Sequence, residues 1–256
     1  MNKKMLPLGF FTRKQWLINK VVIILGIILG TLFIGVWVNL LKQHFITGIL
    51  LFFVVFFIVF LFTITKSNPI RGVLNKLDVD ADINGFKATV NEMLNNNLHP
   101  ETEGFLKIIL VNALYVVNFE EAFSLFETIK KPTTKQYINI YDSVELLYYF
   151  NKEQYEEFRK LLDVYKINYP NNPNCQALDR LDIIHNTTNS INDIEALYPY
   201  NTDKKFLNLL NMQILMFYYD KRENKELANK YAKLLLENAI GFNELIKDAN
   251  KVMGGV

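Results

Sequence analysis

Two long uncharged runs near the N-terminus constrain this chain more than any other feature. Val21 to Val38 holds no charged residue, and Phe45 to Ile64 is Phe, Ile, Leu and Val broken only by Thr47, Gly48 and Thr63. As helices rising 1.5 Å per residue, each reaches about 27–30 Å, the thickness of a bilayer's hydrocarbon core. At a few tenths of a kcal/mol per apolar residue, insertion of the second run is favourable by several kcal/mol. A soluble core helix needs polar positions every turn, and this run has none. A cleavable signal peptide fits the first run poorly, because it is too long, lacks a small-residue cleavage site and is followed almost at once by a second span. The stretch Asn39 to His44 is only long enough to reverse the chain, so the sequence predicts an antiparallel transmembrane hairpin.

Charge orients that hairpin. Through Lys66 there are seven Lys or Arg and no acid, the first acid being Asp78, so the remaining 21 of the chain's 28 bases face all 26 acids. Lys3, Lys4, Arg13, Lys14 and Lys20 precede the hairpin and Lys66, Arg71 and Lys76 follow it, against Lys42 alone in the turn. The positive-inside bias then places both termini, and everything after Lys66, on the cytoplasmic face of a multi-pass cell-membrane protein. Trp16 and Trp37 fall near the ends of the first span, where indoles favour the headgroup layer. Gly26 with Gly30, and Thr31 with Gly35, form small-xxx-small pairs that let a second helix approach, foremost the hairpin's own partner.

Beyond Asn68-Pro69 the pattern turns to short amphipathic helices separated by Asn, Pro, Asp and Thr clusters, with no alternating strand pattern, which makes the fold all-α. Helices are predicted over Ile83–Asn96, Glu101–Val117, Phe119–Lys130, Thr134–Phe150, Glu153–Lys166, Asn174–Asn186, Ile191–Tyr198, Asp203–Asp220, Glu223–Asn238 and Asn243–Val252. Pro100, Pro132, Pro173 and Pro199 punctuate them. Every second helix carries the same apolar step: Phe86 and Val90, Ala122 and Phe126, Phe158 and Leu162, Ile194 and Tyr198, Ala228 and Ala232. The steps recur at intervals of 36, 36, 36 and 34 residues, the mark of an α-solenoid of about four to five helical hairpins. The expected division is 1–20 basic cytoplasmic N-terminus, 21–66 transmembrane hairpin, 67–82 linker and 83–256 helical-repeat domain.

Asn118-Phe119-Glu120-Glu121-Ala122 with Phe126 and Ile129, and Tyr155-Glu156-Glu157-Phe158 with Leu162, Tyr165 and Pro170, resemble the second-helix start of the tetratricopeptide repeat family. Tyr149 and Tyr219 match that family's first-helix aromatic. The resemblance covers roughly Ile83 to Met253. It departs at the absent signature Trp and Gly, at Phe158 and Ile194 where Ala is usual, and in a short unit around Ile194. It implies partner binding on the inner face, whose positions lie one residue beyond the packing positions: Lys107, Val111, Ser143, Leu147, Gln213 and Phe217. Leu106, Ile109, Leu110 and Ala113 occupy the packing phase of their helix at i, i+3, i+4 and i+7.

No catalytic, cofactor or metal motif stands out. His44, His99 and His185 lack a second ligand or base at i+3 or i+4, and GxGxxG, GxxxxGK and GxSxG do not occur. The pairs Glu120-Glu121 and Glu156-Glu157 sit in first turns, where the helix dipole favours negative charge. A lone Cys175 excludes an internal disulfide and a multi-Cys zinc site, and the body has no basic stripe for nucleic acid. One feature points to binding: the helices over Phe105–Val117, Val144–Phe150 and Phe206–Tyr219 are apolar nearly all round, so each is either fully buried or borders an apolar groove. The expected function is that of a non-enzymatic, membrane-anchored cytoplasmic scaffold recruiting a protein or peptide partner. The alternative is an accessory subunit of a membrane transporter or export complex, with the hairpin packed against its partner.

Overall fold

The computed structural model describes residues 5–6, 10–12, 14–24, 69–186 and 190–254. All regular secondary structure in them is helical, as the sequence predicts. The chain divides into two compact units, Met1–Gly72 with Met93–His99, and Val73–Glu92 with Pro100–Val256. In the first, a helix runs over 14–24. The Gln15 amide donates to Thr12 Oγ1 at 3.1 Å, while Gln15 Oε1 accepts from the Phe11 amide at 3.1 Å. A Thr and a Gln three residues apart thereby satisfy donors that a first helical turn leaves unpaired. The Leu6 amide donates to the Asn97 carbonyl at 2.7 Å, tying together the two stretches of this unit.

The multi-pass membrane assignment, with a lipid bilayer as partner and a cytoplasmic repeat domain, is corrected. Among the described residues no helix is long and apolar enough to cross a membrane. At 17 residues, the helix Lys135–Asn151 is short of the roughly 20 a span requires, and it carries Asp142 and Glu145. The hairpin expected at 21–66 lies outside the described residues beyond Ile24, as do its packing positions Gly26, Gly30 and Gly35.

From residue 69 the described helices are α1 Pro69–Asp78, α2 Ile83–Leu94, α3 Pro100–Leu114, α4 Phe119–Glu127, α5 Lys135–Asn151, α6 Tyr155–Asn168, α7 Pro173–Asn186, α8 Ile194–Leu197, α9 Lys205–Asp220, α10 Lys225–Asn238 and α11 Asn243–Val252. Helix α1 falls in the stretch expected as a linker. Its own sequence accounts for it: Pro69 is preorganised for a first helical position, and Ile70, Val73 and Leu77 bury one face at i, i+3 and i+7.

In the second unit, α3 packs on α4, α5 on α6, and α9 on α10, each pair joined by a short turn and therefore antiparallel. First helices also pack on one another, α3 on α5, α7 on α9, and α9 on α11. All ten residues of the repeating apolar step are buried, from Phe86 and Val90 to Ala228 and Ala232. Leu146, Phe150, Phe158, Leu162, Tyr165, Cys175 and Leu178 form one continuous core cluster. There Phe150 and Phe158 meet edge to face at 5.1 Å, and Cys175 Sγ donates to the Tyr169 carbonyl at 2.9 Å.

Turns repeat as well as helices. Glu153 and Glu223 both adopt the left-handed conformation at φ 58°. The following amides, of Gln154 and Asn224, both donate to the carbonyl of a tyrosine near the end of the first helix, Tyr149 or Tyr219, at 3.0 Å. Successive hairpins are also tied by side chains. The carboxylate of Glu101 in α3 accepts from the Thr133 amide at 2.7 Å, the Thr134 amide at 2.9 Å and the Thr133 hydroxyl, just before α5 begins.

Two expectations follow. Phe158→Ala removes a fully buried ring and is expected to cost about 3–5 kcal/mol, whereas Glu121→Ala, at a partly exposed pair with Lys87, should cost less than about 1 kcal/mol; denaturant midpoints of the full chain measure both. The Glu101 carboxyl is held down to about 2 from 4.5, foremost by the Thr133 and Thr134 hydrogen bonds. A depressed carboxyl stabilises the fold above its unfolded value and loses that contribution as pH falls through the folded value. The stability difference between the native chain and Glu101→Gln should therefore shrink as pH is lowered from above 4.5 towards 2.

Candidate functional site

The first helices of the second unit surround a cavity of about 580 Å³. One stripe of α9 supplies much of its wall: Leu210, Gln213, Ile214, Phe217 and Lys221. Their spacing, i, i+3, i+4, i+7 and i+11, keeps them on a single side of the helix. The buried Leu209, Met212, Leu215 and Met216 lie on the other side, so α9 packs with one apolar face and borders the cavity with a second. Leu147, Phe150 and Asn151 reach the cavity from α5, Leu181 and His185 from α7, and Asp248, Lys251 and Val252 from α11. Helix α3 meets it only at its C-terminal end, through Asn112 and the following Tyr115 and Val116.

His185 stands between two rings. Its imidazole meets Phe150 edge to face at 4.9 Å and Phe217 at 4.9 Å with an interplanar angle of 53°. Burial pushes its pKa down to about 4, with Lys221 adding to the shift and Asp182 opposing it. The ring is therefore neutral at neutral pH. Across the cavity, Gln213 Nε2 donates to Asp248 Oδ2 at 2.7 Å, joining α9 to α11. Burial raises the Asp248 carboxyl pKa and the Glu244 charge adds to it, while the Gln213 hydrogen bond and the Lys251 and Lys247 charges partly counter the shift.

Of the six residues that the family resemblance implies, three line this cavity: Leu147, Gln213 and Phe217. The other three do not. Lys107 pairs with Glu103 at 2.6 Å on its own helix, and Ser143 Oγ donates to the Ile140 carbonyl at 2.8 Å. Val111 is fully buried, since Leu106, Ile108, Leu110, Ala113 and Leu114 bury the rest of α3 around it. The all-round apolar character of α3 thus means burial, while that of α9 means two faces with different neighbours. His185, Phe150, Leu210, Ile214 and Asp248 were not foreseen. Only the α9 residues carried a signal, the i, i+3, i+4, i+7 stripe; the others depend on which helix ends the fold brings together. Among the described residues, no group of three His, Cys, Asp or Glu is placed to hold a metal ion. No protein-family model, curated protein or solved structure matches this chain.

The lowered His185 pKa has a measurable consequence. Between pH 6.5 and about 4 the unfolded chain binds a proton at this position and the folded chain does not, so stability falls as pH drops through that window. NMR titration should place the His185 midpoint near 4, and His185→Leu should remove that part of the pH dependence. A midpoint near 6.5 would mean that water reaches the ring freely.

Proposed function

We propose that this chain is a TPR-like helical-repeat binding module that holds a short segment of a protein partner in the cavity bordered by α3, α5, α7, α9 and α11. The single observation that carries the reading is the convergence on one cavity of apolar side chains from α5, α7 and α9, with a few polar groups among them, the usual composition of a binding site. Helix α9 packs against α7, α10 and α11 and still turns a further apolar stripe towards the cavity, which calls for another use.

A cavity of about 580 Å³ is in the size range of sites that take a small ligand or a few anchor side chains, which suits one helical turn or a few extended residues of the partner. Leu147, Phe150 and Phe217 supply the apolar contacts, while Asn151 and Gln213 offer hydrogen bonds that fix register.

A photo-crosslinking residue, p-benzoyl-phenylalanine, placed at Leu147 or Phe217 is expected to capture one protein species in cells, and none when placed at the exposed Ile240. In the same cells Phe217→Ala should lower recovery of that species by about tenfold, as a hot-spot truncation does, with little change in melting temperature. Crosslinks at Ile240 equal to those at the cavity positions, or a Phe217→Ala chain that unfolds like Phe158→Ala, would remove the reading.

A further inference from the structure

The charged side chains around the cavity divide by depth. Glu153, Lys221, Lys225 and Lys251 are exposed, whereas Asp220 and Asp248 are half-buried. Asp220 is neutralised by Lys225 at 2.6 Å. Asp248 has the neutral Gln213 amide as its hydrogen-bond partner and no ion pair among the described residues. A carboxylate drawn partly out of water and held by one neutral donor has unused acceptor capacity, and a cationic donor is the strongest partner it can take. Lys251 and Lys247, on the same helix, act on Asp248 only through space, and both are exposed, where water and salt screen them.

We propose that the segment bound in this cavity carries a Lys or Arg side chain flanked by apolar residues, with its cationic head paired to Asp248. The proposal rests on the peptide-binding reading above and adds the identity of its central side chain. The geometry fits a basic side chain in two ways. Its aliphatic stem crosses the Ile214 and Phe217 wall, which a methylene chain contacts well, and its head reaches the carboxylate that Gln213 holds in position. The neutral His185 beside that path adds no repulsion. An acidic side chain would instead meet Asp248 at close range in a partly desolvated site, where like charges repel strongly.

Selection of a random heptapeptide display library on the purified full chain tests this directly. The expected result is enrichment of peptides with one Lys or Arg between apolar residues. Selection on Asp248→Asn, whose melting curve reports whether it folds, should keep the apolar preference and lose the basic one. Replacing the basic residue of a selected peptide by norleucine should weaken its affinity for the native chain by about tenfold or more, and its affinity for Asp248→Asn by much less. Enrichment of apolar peptides without a basic residue would overturn the proposal while leaving the peptide-binding reading standing, and so would a basic preference that survives in Asp248→Asn. If Asp248→Asn does not fold, norleucine binding as tightly as lysine to the native chain decides against it. Enrichment of no peptide at all would overturn both readings.

Discussion

One buried pair, four residues apart, recurs on each second helix, its fourth instance ending at Tyr198 just past α8, and lies in the core of the helical unit. Phe86 with Val90, Ala122 with Phe126, Phe158 with Leu162, Ile194 with Tyr198, and Ala228 with Ala232 occupy equivalent places, and all are buried. Burying a Phe or Leu side chain contributes about 1.5–3 kcal/mol, so these positions supply much of what a hairpin gains by closing. Where the pair is alanine, as at Ala228 and Ala232, side-chain area cannot supply that gain, and a small residue instead lets the facing helix approach. Tyr231, fully buried beside them, fills the space that remains and stacks parallel to Tyr219 of α9 at 5.9 Å.

Polar ties recur with nearly the same period. Lys87 bonds Glu121 34 residues on, Glu101 accepts from Thr133 and Thr134 at separations of 32 and 33, Asn172 donates to Asn139 at 33, and Gln213 donates to Asp248 at 35. Each spans one repeat, from a residue in one hairpin to its counterpart region in the next. Most are half-exposed, and such contacts contribute at most about 1 kcal/mol each. Their value lies in register, since an apolar face alone tolerates sliding by a turn while a directional hydrogen bond does not. The α10–α11 turn also comes close to α2, where a Cβ at Gly241 would lie 3.4 Å from Ile83 Cγ2.

The fold was legible because it is periodic. A step repeated every 34–36 residues identifies both the second helices and their buried side, and proline placement marks several boundaries. Helix α1 escaped notice because it stands outside that period, between an apolar run and the first repeat. At the site, of the inner-face positions that the tetratricopeptide resemblance implies, Leu147, Gln213 and Phe217 line the cavity, whereas Lys107, Val111 and Ser143 do not. Phase along one helix cannot say how far the helix overlaps the cavity. Helix α3 touches it only from Asn112 onward, so Val111 is enclosed by packing and Lys107 pairs with Glu103 on its own helix, while Ser143 of α5 bonds the Ile140 carbonyl one turn back. Asp248 and His185 carried no pattern of their own, because their role depends on a neighbour about 35 residues away in one case and on two rings from different helices in the other.

An apolar cavity open to solvent resolves differently from a dry one. A closed void of this size inside a core would be strongly destabilising, because its walls would lose their packing partners outright. A space open to solvent is instead one that water fills before a ligand does. Along Leu147, Leu210, Ile214 and Phe217 its molecules find no hydrogen-bond partner in the side chains, so their release favours whatever replaces them. At Asn151, Gln213 and Asp248 they are held, and a ligand gains only by matching the bonds they make. The apolar stripe therefore supplies affinity and the polar groups supply selection. Both stand on helices whose opposite faces are buried in the stack, so the site is kept rigid by the same packing that makes the fold.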